Sequence, residues 1–175
     1  MTDDPFQLYP TLAQIAATFA GFGSLASGVG RRLGAHDARV DAFRLGQMLF
    51  ASLSGTLLGL LPATLLGLSM GLRWAVGAPA VAAVVGLLIY FPVSMKKAGR
   101  IRHVAGFSPA AALANMASAL TALAAFSLCA VGVPSNREAD LYLLGLMGLL
   151  GSSVVMFSRV IASMLRPLNE SEGAP

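Results

Sequence analysis

Between Arg44 and Arg73 the chain carries no charged side chain at all. Four further uncharged stretches, 5 to 30, 74 to 95, 104 to 136 and 141 to 158, occupy most of the remaining sequence. A helix crosses about 30 Å of hydrocarbon in roughly 20 apolar residues, so each stretch supplies one crossing. The expected fold is all-α, a polytopic membrane bundle of five transmembrane helices at about 9–30, 45–69, 77–95, 109–133 and 138–163. An alternative with four crossings lays the first segment, rich in Gly, Ser and Thr, in the interface.

Composition removes a soluble domain. The longest polar tract, from Arg31 to Arg44, is too short to bury a core of its own, which leaves residues 1–175 as a single membrane domain. The net charge of +4 does not point to nucleic acid, because the basic residues sit in short clusters beside apolar segments, where phospholipid headgroups lie. The N-terminus carries Asp3 and Asp4 where a secretory signal needs basic residues, so the first segment is expected to be retained.

The same clusters set orientation. Arg31, Arg32, Arg39 and Arg44 follow the first segment, Lys96, Lys97, Arg100 and Arg102 follow the third, and Arg159 and Arg166 follow the fifth. With five crossings these ten of the twelve basic residues share one side, which the positive-inside rule makes cytoplasmic. The N-terminus is then outside and the C-terminus inside. Tyr9, Trp74 and Tyr142 fall at the expected outer boundary and Tyr90, Phe91 and Phe107 near the inner one. Pro10 and Pro79 suit first helical turns, Ser108-Pro109 reads as an N-cap with proline at N1, and Ser135 with Glu138 has capping-box spacing. The tract from His36 to Gln47 reads as a solvated helix start, with Asp41 and Arg44 spaced i,i+3.

Chemistry-bearing groupings are scarce. Arg159 is the ionisable residue closest to hydrocarbon depth, and it is expected to snorkel from near the end of its helix. His36 and His103 lack acidic or Cys companions at ligand spacing, and Cys129 reads as a small buried hydrophobe. No phosphate loop, nucleophile elbow or zinc-protease motif occurs. Neither catalysis nor a metal or cofactor is expected. Pro62 should bend the second helix and free a carbonyl for Ser or Thr to satisfy. Asn115 is expected to hydrogen-bond between helices.

The first segment is the least hydrophobic. On a helical wheel Gln14, Ala17, Gly21, Ser24 and Gly28 share one face with Thr18 at its margin, and Ala17-xxx-Gly21 and Ser24-xxx-Gly28 match the small-xxx-small packing pattern. Two readings follow. The face packs inside the bundle, with Gln14 bonded to a neighbour, or it lines the axis of a homo-oligomer as a narrow polar path ringed by Arg31 and Arg32. Gly55-xxx-Gly59, Ala114-xxx-Ser118-xxx-Ala122 and Gly148-xxx-Ser152 are further close-contact candidates. The basic residues Lys96, Lys97, Arg100 and Arg102 either bind anionic lipid or serve topology.

The segment Ala16-Ala17-Thr18-Phe19-Ala20-Gly21-Phe22, followed by paired arginines and a Leu-rich helix containing Pro62, resembles small bacterial multi-pass membrane proteins of uncharacterised function. The resemblance lies chiefly between Met1 and Met70. It implies residence in the bacterial inner membrane and transfers no activity. The expected protein is a non-enzymatic integral membrane protein that self-associates through its first helix. The alternatives are a homo-oligomeric channel or passive solute pore, and an accessory subunit of a larger membrane complex.

Overall fold

A computed structural model of the chain describes residues 5–32, 38–101, 103, 108–132 and 137–171, with side chains described for 8–25, 40–101, 103, 108–132 and 137–163. It contains α1 (Pro5–Arg32), α2 (Ala38–Gly67), α3 (Leu72–Ile101), α4 (Pro109–Val131) and α5 (Glu138–Ser171). Among the described residues four spans, Val40–Gly67, Leu72–Ile101, Pro109–Val131 and Glu138–Ser163, are long and apolar enough to cross a membrane, and α1 is not one of them. Their outer faces keep large apolar side chains exposed, Leu57, Leu88, Ile89, Leu113 and Leu144 among them. Water would penalise such a surface and lipid does not. The chain is a multi-pass, all-α membrane protein.

α2, α3, α4 and α5 form a ring in which each helix touches its two neighbours, while α1 lies outside it against α2 and α5. Glycine lets two of these seams close. A Cβ built on Gly59 would stand 2.9 Å from the Ala13 Cβ and from the Tyr9 carbonyl, and one on Gly55 would meet Ala16. On the other seam a Cβ on Gly148 would stand 2.8 Å from the Ala122 nitrogen and 2.9 Å from the Ser118 carbonyl. Backbones this close gain dispersion contacts that lipid tails cannot replace. Three of the small-residue patterns read from sequence are thus used inside the chain, on α2, α4 and α5.

The α1–α2 contact keeps one register. Ala13 meets Gly59, Ala16 meets Gly55 and Gly23 meets Met48, so steps along α1 are matched by near-equal steps back along α2. From Ala13 to Gly23 the two helices run side by side for about 15 Å. The core concentrates where α1 joins the ring. Tyr142 is edge-on to Tyr9 at 5.4 Å and to Phe126 at 5.3 Å, and Leu58, Val76 and Leu146 belong to the same buried cluster.

Several sequence expectations are corrected here. α1 and α3 begin earlier than expected, at Pro5 and Leu72, so Pro10 and Pro79 lie inside helices rather than in first turns. α3 also runs on to Ile101, placing Lys96, Lys97 and Arg100 on helix rather than loop. Trp74 is exposed, but Tyr9 and Tyr142 are fully buried: their hydroxyls find carbonyl partners within the bundle, so they do not serve as interfacial anchors. Arg44 is bonded to Asp41 at 2.9 Å as spaced, yet Arg44 and Gln47 are buried rather than solvated, and His36 and Asp37 lie outside the described residues. Ser108 caps α4, accepting from the Ala111 N–H at 3.4 Å with Pro109 next in sequence. The expected cap at Ser135 lies outside the described residues.

Candidate functional site

The ring is not filled along its whole length. Between the start of α2, the end of α3, the start of α4 and the second half of α5 lies a cavity of about 490 Å³. Its walls are mostly apolar, with Phe43, Phe91, Met95, Met116 and Met156 among them. Volume and lining match those of small-molecule sites, which are largely apolar with a few placed polar groups. Toward the middle of the ring it is lined by Phe50, Leu87 and Leu149, and the same three residues line a smaller apolar groove beyond. Phe50 is stacked on Tyr90 at 3.6 Å between ring centroids, which stiffens that end.

One side of the cavity carries a hydrogen-bond chain joining all four ring helices. Ser152 donates to the Asn115 Oδ1 at 2.5 Å, the Asn115 amide donates to the Gln47 Oε1 at 2.9 Å, and the Gln47 amide donates to Ser94. Each helix contributes one polar residue, so the network fixes their mutual rotation. Amides at this depth are costly unless bonded, and here they bond one another. A second link, Ser52 to Ser153 at 3.1 Å, ties α2 to α5.

Two arginines line the same cavity, Arg44 from α2 and Arg159 from α5. No Asp, Glu, His or Cys lines it among the described residues. Arg44 is only 7% exposed and is held by Asp41. Arg159 does not sit near the end of its helix as expected, because α5 continues to Ser171. Its Nε is buried without a hydrogen-bond partner among the described residues. Guanidinium, amide and hydroxyl groups in this setting are suited to binding and orienting a ligand.

The residues singled out from sequence lie elsewhere. Gln14, Ala17, Thr18, Gly21 and Ser24 are all exposed on the outer side of α1. The face of α1 turned into the bundle is the adjoining one, with Tyr9, Ala13 and Ala16 buried. Packing of the Gln14 face inside the bundle is therefore not what the chain adopts. Gly28, Arg31 and Arg32 belong to the last turns of α1 but their side chains lie outside the described set, as does Arg102. Lys96, Lys97 and Arg100 are exposed. Pro62 is buried, and the carbonyl one turn earlier, Leu58, is satisfied by Tyr142 rather than by Ser or Thr. Asn115 does bond between helices, as expected.

Sequence reasoning missed the cavity and the roles of Gln47, Ser94 and Ser152 as its polar side. A signal was present: Arg44 and Gln47 fall one turn apart on α2, just where its apolar stretch begins. A single polar residue per helix has no local pattern, however, and becomes a network only once the ring closes.

No protein-family model, known curated protein or solved structure matches the chain.

Proposed function

We propose that this is a non-enzymatic, five-crossing protein of the bacterial inner membrane, N-terminus outside and C-terminus inside, that self-associates through α1. The observation that carries the reading is the outward face of α1, where Gln14, Ala17, Thr18, Gly21 and Ser24 remain exposed after the single chain has folded. The Thr18 and Ser24 hydroxyls bond to carbonyls of their own helix, Gln14 at 2.8 Å and Ala20 at 3.0 Å, and so tolerate lipid. The Gln14 amide has no such internal acceptor built into helix geometry. Facing hydrocarbon, it gains by meeting another amide across an interface, and the Ala and Gly around it let a second helix approach. A fifth crossing is supported by the side-by-side course of α1 along α2, and the orientation by the shared position of Lys96, Lys97 and Arg100 at the end of the ring where α2 and α4 begin. Bacterial residence follows the resemblance carried by the chain from Met1 to Met70.

The test is cysteine cross-linking in a Cys129→Ser background. Gln14→Cys and Gly21→Cys are expected to form disulfide-linked dimers in native membranes, while Leu57→Cys, on the exposed face of α2, is not. Equal cross-linking at all three positions would show random collision and defeat the reading. Recovery of a second protein in fixed proportion would assign the face to an accessory-subunit contact instead. A pore between copies requires flux in liposomes that Gly21→Phe blocks.

A further inference from the structure

We propose that the cavity inside the α2–α5 ring binds a single-chain anionic amphiphile, its acidic headgroup on Arg159 beside Arg44 and its chain against the apolar wall toward Leu149. The charge balance favours an anion. Two guanidinium groups line the cavity and no carboxylate does among the described residues. Asp41, which is outside the lining, bonds Arg44, and Arg159 keeps a buried Nε with no partner among the described residues. A guanidinium fork presents parallel N–H donors that fit a carboxylate or a phosphate. The hydrogen-bond network does not compete for this role, since Gln47, Asn115, Ser94 and Ser152 already bond one another.

The remaining wall selects an apolar chain. Met116 and Met156 line the cavity together with Phe50, Leu87 and Leu149, the three residues at the end away from the arginines. Along α5 the step from Arg159 back to Leu149 is about 15 Å. An extended chain advances about 1.2 Å per bond, so roughly a dozen bonds reach Leu149. Methionine side chains adapt to such a chain without imposing one shape. The carboxylate of a medium-chain fatty acid and the phosphate of a lysophospholipid both meet these requirements.

The probe is dodecanoic acid with a diazirine at its chain terminus, photo-crosslinked to the full-length protein in zwitterionic nanodiscs and mapped by mass spectrometry. Labelling is expected around Phe50 and Leu149, with dodecanoate competing about tenfold better than dodecanol. Arg159→Gln should lower anion labelling about tenfold and leave labelling by the matching dodecanol probe unchanged. Arg159→Lys, which keeps the charge without the fork, should fall between. Ala119→Phe, placed in the cavity wall, should abolish labelling by both probes while melting stays cooperative, which separates a blocked site from a misfolded one. Competition by dodecanoyl lysophosphatidic acid above that of dodecanoate would assign the phosphate source, and the reverse order the free carboxylate. Equal competition by dodecanol and dodecanoate, or labelling unchanged in Arg159→Gln, overturns the proposal.

Discussion

The Tyr142 hydroxyl donates to the Leu58 carbonyl at 2.6 Å, and this is the oxygen that Pro62 leaves without its helical N–H. Proline removes one i to i−4 bond from a helix, and in a bilayer no water replaces it. α5 supplies the missing donor from a residue whose ring is held between Tyr9 and Phe126. A backbone defect in one helix has thus become a specific contact with another.

Tyr142→Phe keeps the ring and deletes this donor. A buried carbonyl left unbonded costs about 1–3 kcal/mol. Pro62→Ala restores an N–H for Leu58, so in that background Tyr142→Phe should cost about 1 kcal/mol less than in the native chain. Thermal unfolding of the two single variants and the double variant in detergent measures the difference as a double-mutant cycle. Additive losses would show that Tyr142 acts through packing alone.

The glycines divide by what faces them. A Cβ at Gly148 collides with the α4 backbone and one at Gly59 with that of α1, whereas at Gly86 nothing lies within 4 Å. Gly148→Ala and Gly59→Ala should each destabilise by about 1–3 kcal/mol, the range for overpacking. Gly86→Ala should be neutral or stabilising, by at most about 1 kcal/mol of helix propensity. Melting temperatures that fall equally in all three would remove the distinction between the seams and the open face.

The uncharged stretches made the four long apolar helices legible, because hydrocarbon allows few other ways to satisfy a backbone. Boundaries were less so: α2 begins at Ala38 and α3 ends at Ile101, since charged turns extend helices beyond the apolar core without breaking their hydrogen bonds. The small-residue pairs Gly55–Gly59 and Gly148–Ser152 were readable as contacts. Which face of α1 turns inward was not, because Ala13 and Ala16 are as small as Ala17 and Gly21, and the choice rests on glycines of α2. The cavity was invisible for a different reason. Its polar side takes one residue from each of four helices, and no periodicity within a helix records where the neighbours stand.

That shared side responds unequally to single and paired changes. Asn115→Leu leaves the Gln47 Oε1 and the Ser152 hydroxyl without their partner, and Gln47→Met leaves the Asn115 amide without its acceptor. Each should cost about 1–3 kcal/mol. Gln47→Met with Asn115→Leu removes both amides together, and the double variant should melt nearer the native protein than the sum of the singles predicts. Strict additivity would mean that the two amides are not coupled.

Gly132 closes α4 in the left-handed region, at φ 75°, its N–H bonded to the carbonyls of Leu128 and Cys129. A side chain here costs about 1–2 kcal/mol of backbone strain, and its Cβ would also lie 3.0 Å from Arg73 and 3.1 Å from Glu138. Gly132→Ala should therefore lower the melting temperature, and Gly132→Asn less so because Asn tolerates this region. Arg73→Ala should change stability by under about 1 kcal/mol, since the Arg73–Glu138 pair is 4.0 Å apart with Arg73 largely exposed. An equal effect of Arg73→Ala and Gly132→Ala would place the stabilisation in the ion pair instead of the cap.

The register of α1 against α2 leads to the last prediction. A helix lying flat in the interface crosses a spanning helix near one point, but Ala13, Ala16 and Gly23 meet Gly59, Gly55 and Met48 in sequence. α1 runs beside α2 over about 15 Å, and on the proposed five-crossing reading its two ends lie on opposite sides of the membrane. In a Cys129→Ser background, Asp3→Cys should be labelled by a membrane-impermeant maleimide in intact cells, and His36→Cys and Lys97→Cys only after permeabilisation. With α1 in the interface, Asp3→Cys and His36→Cys would share one side. Labelling of His36→Cys from outside would overturn the proposed orientation as well.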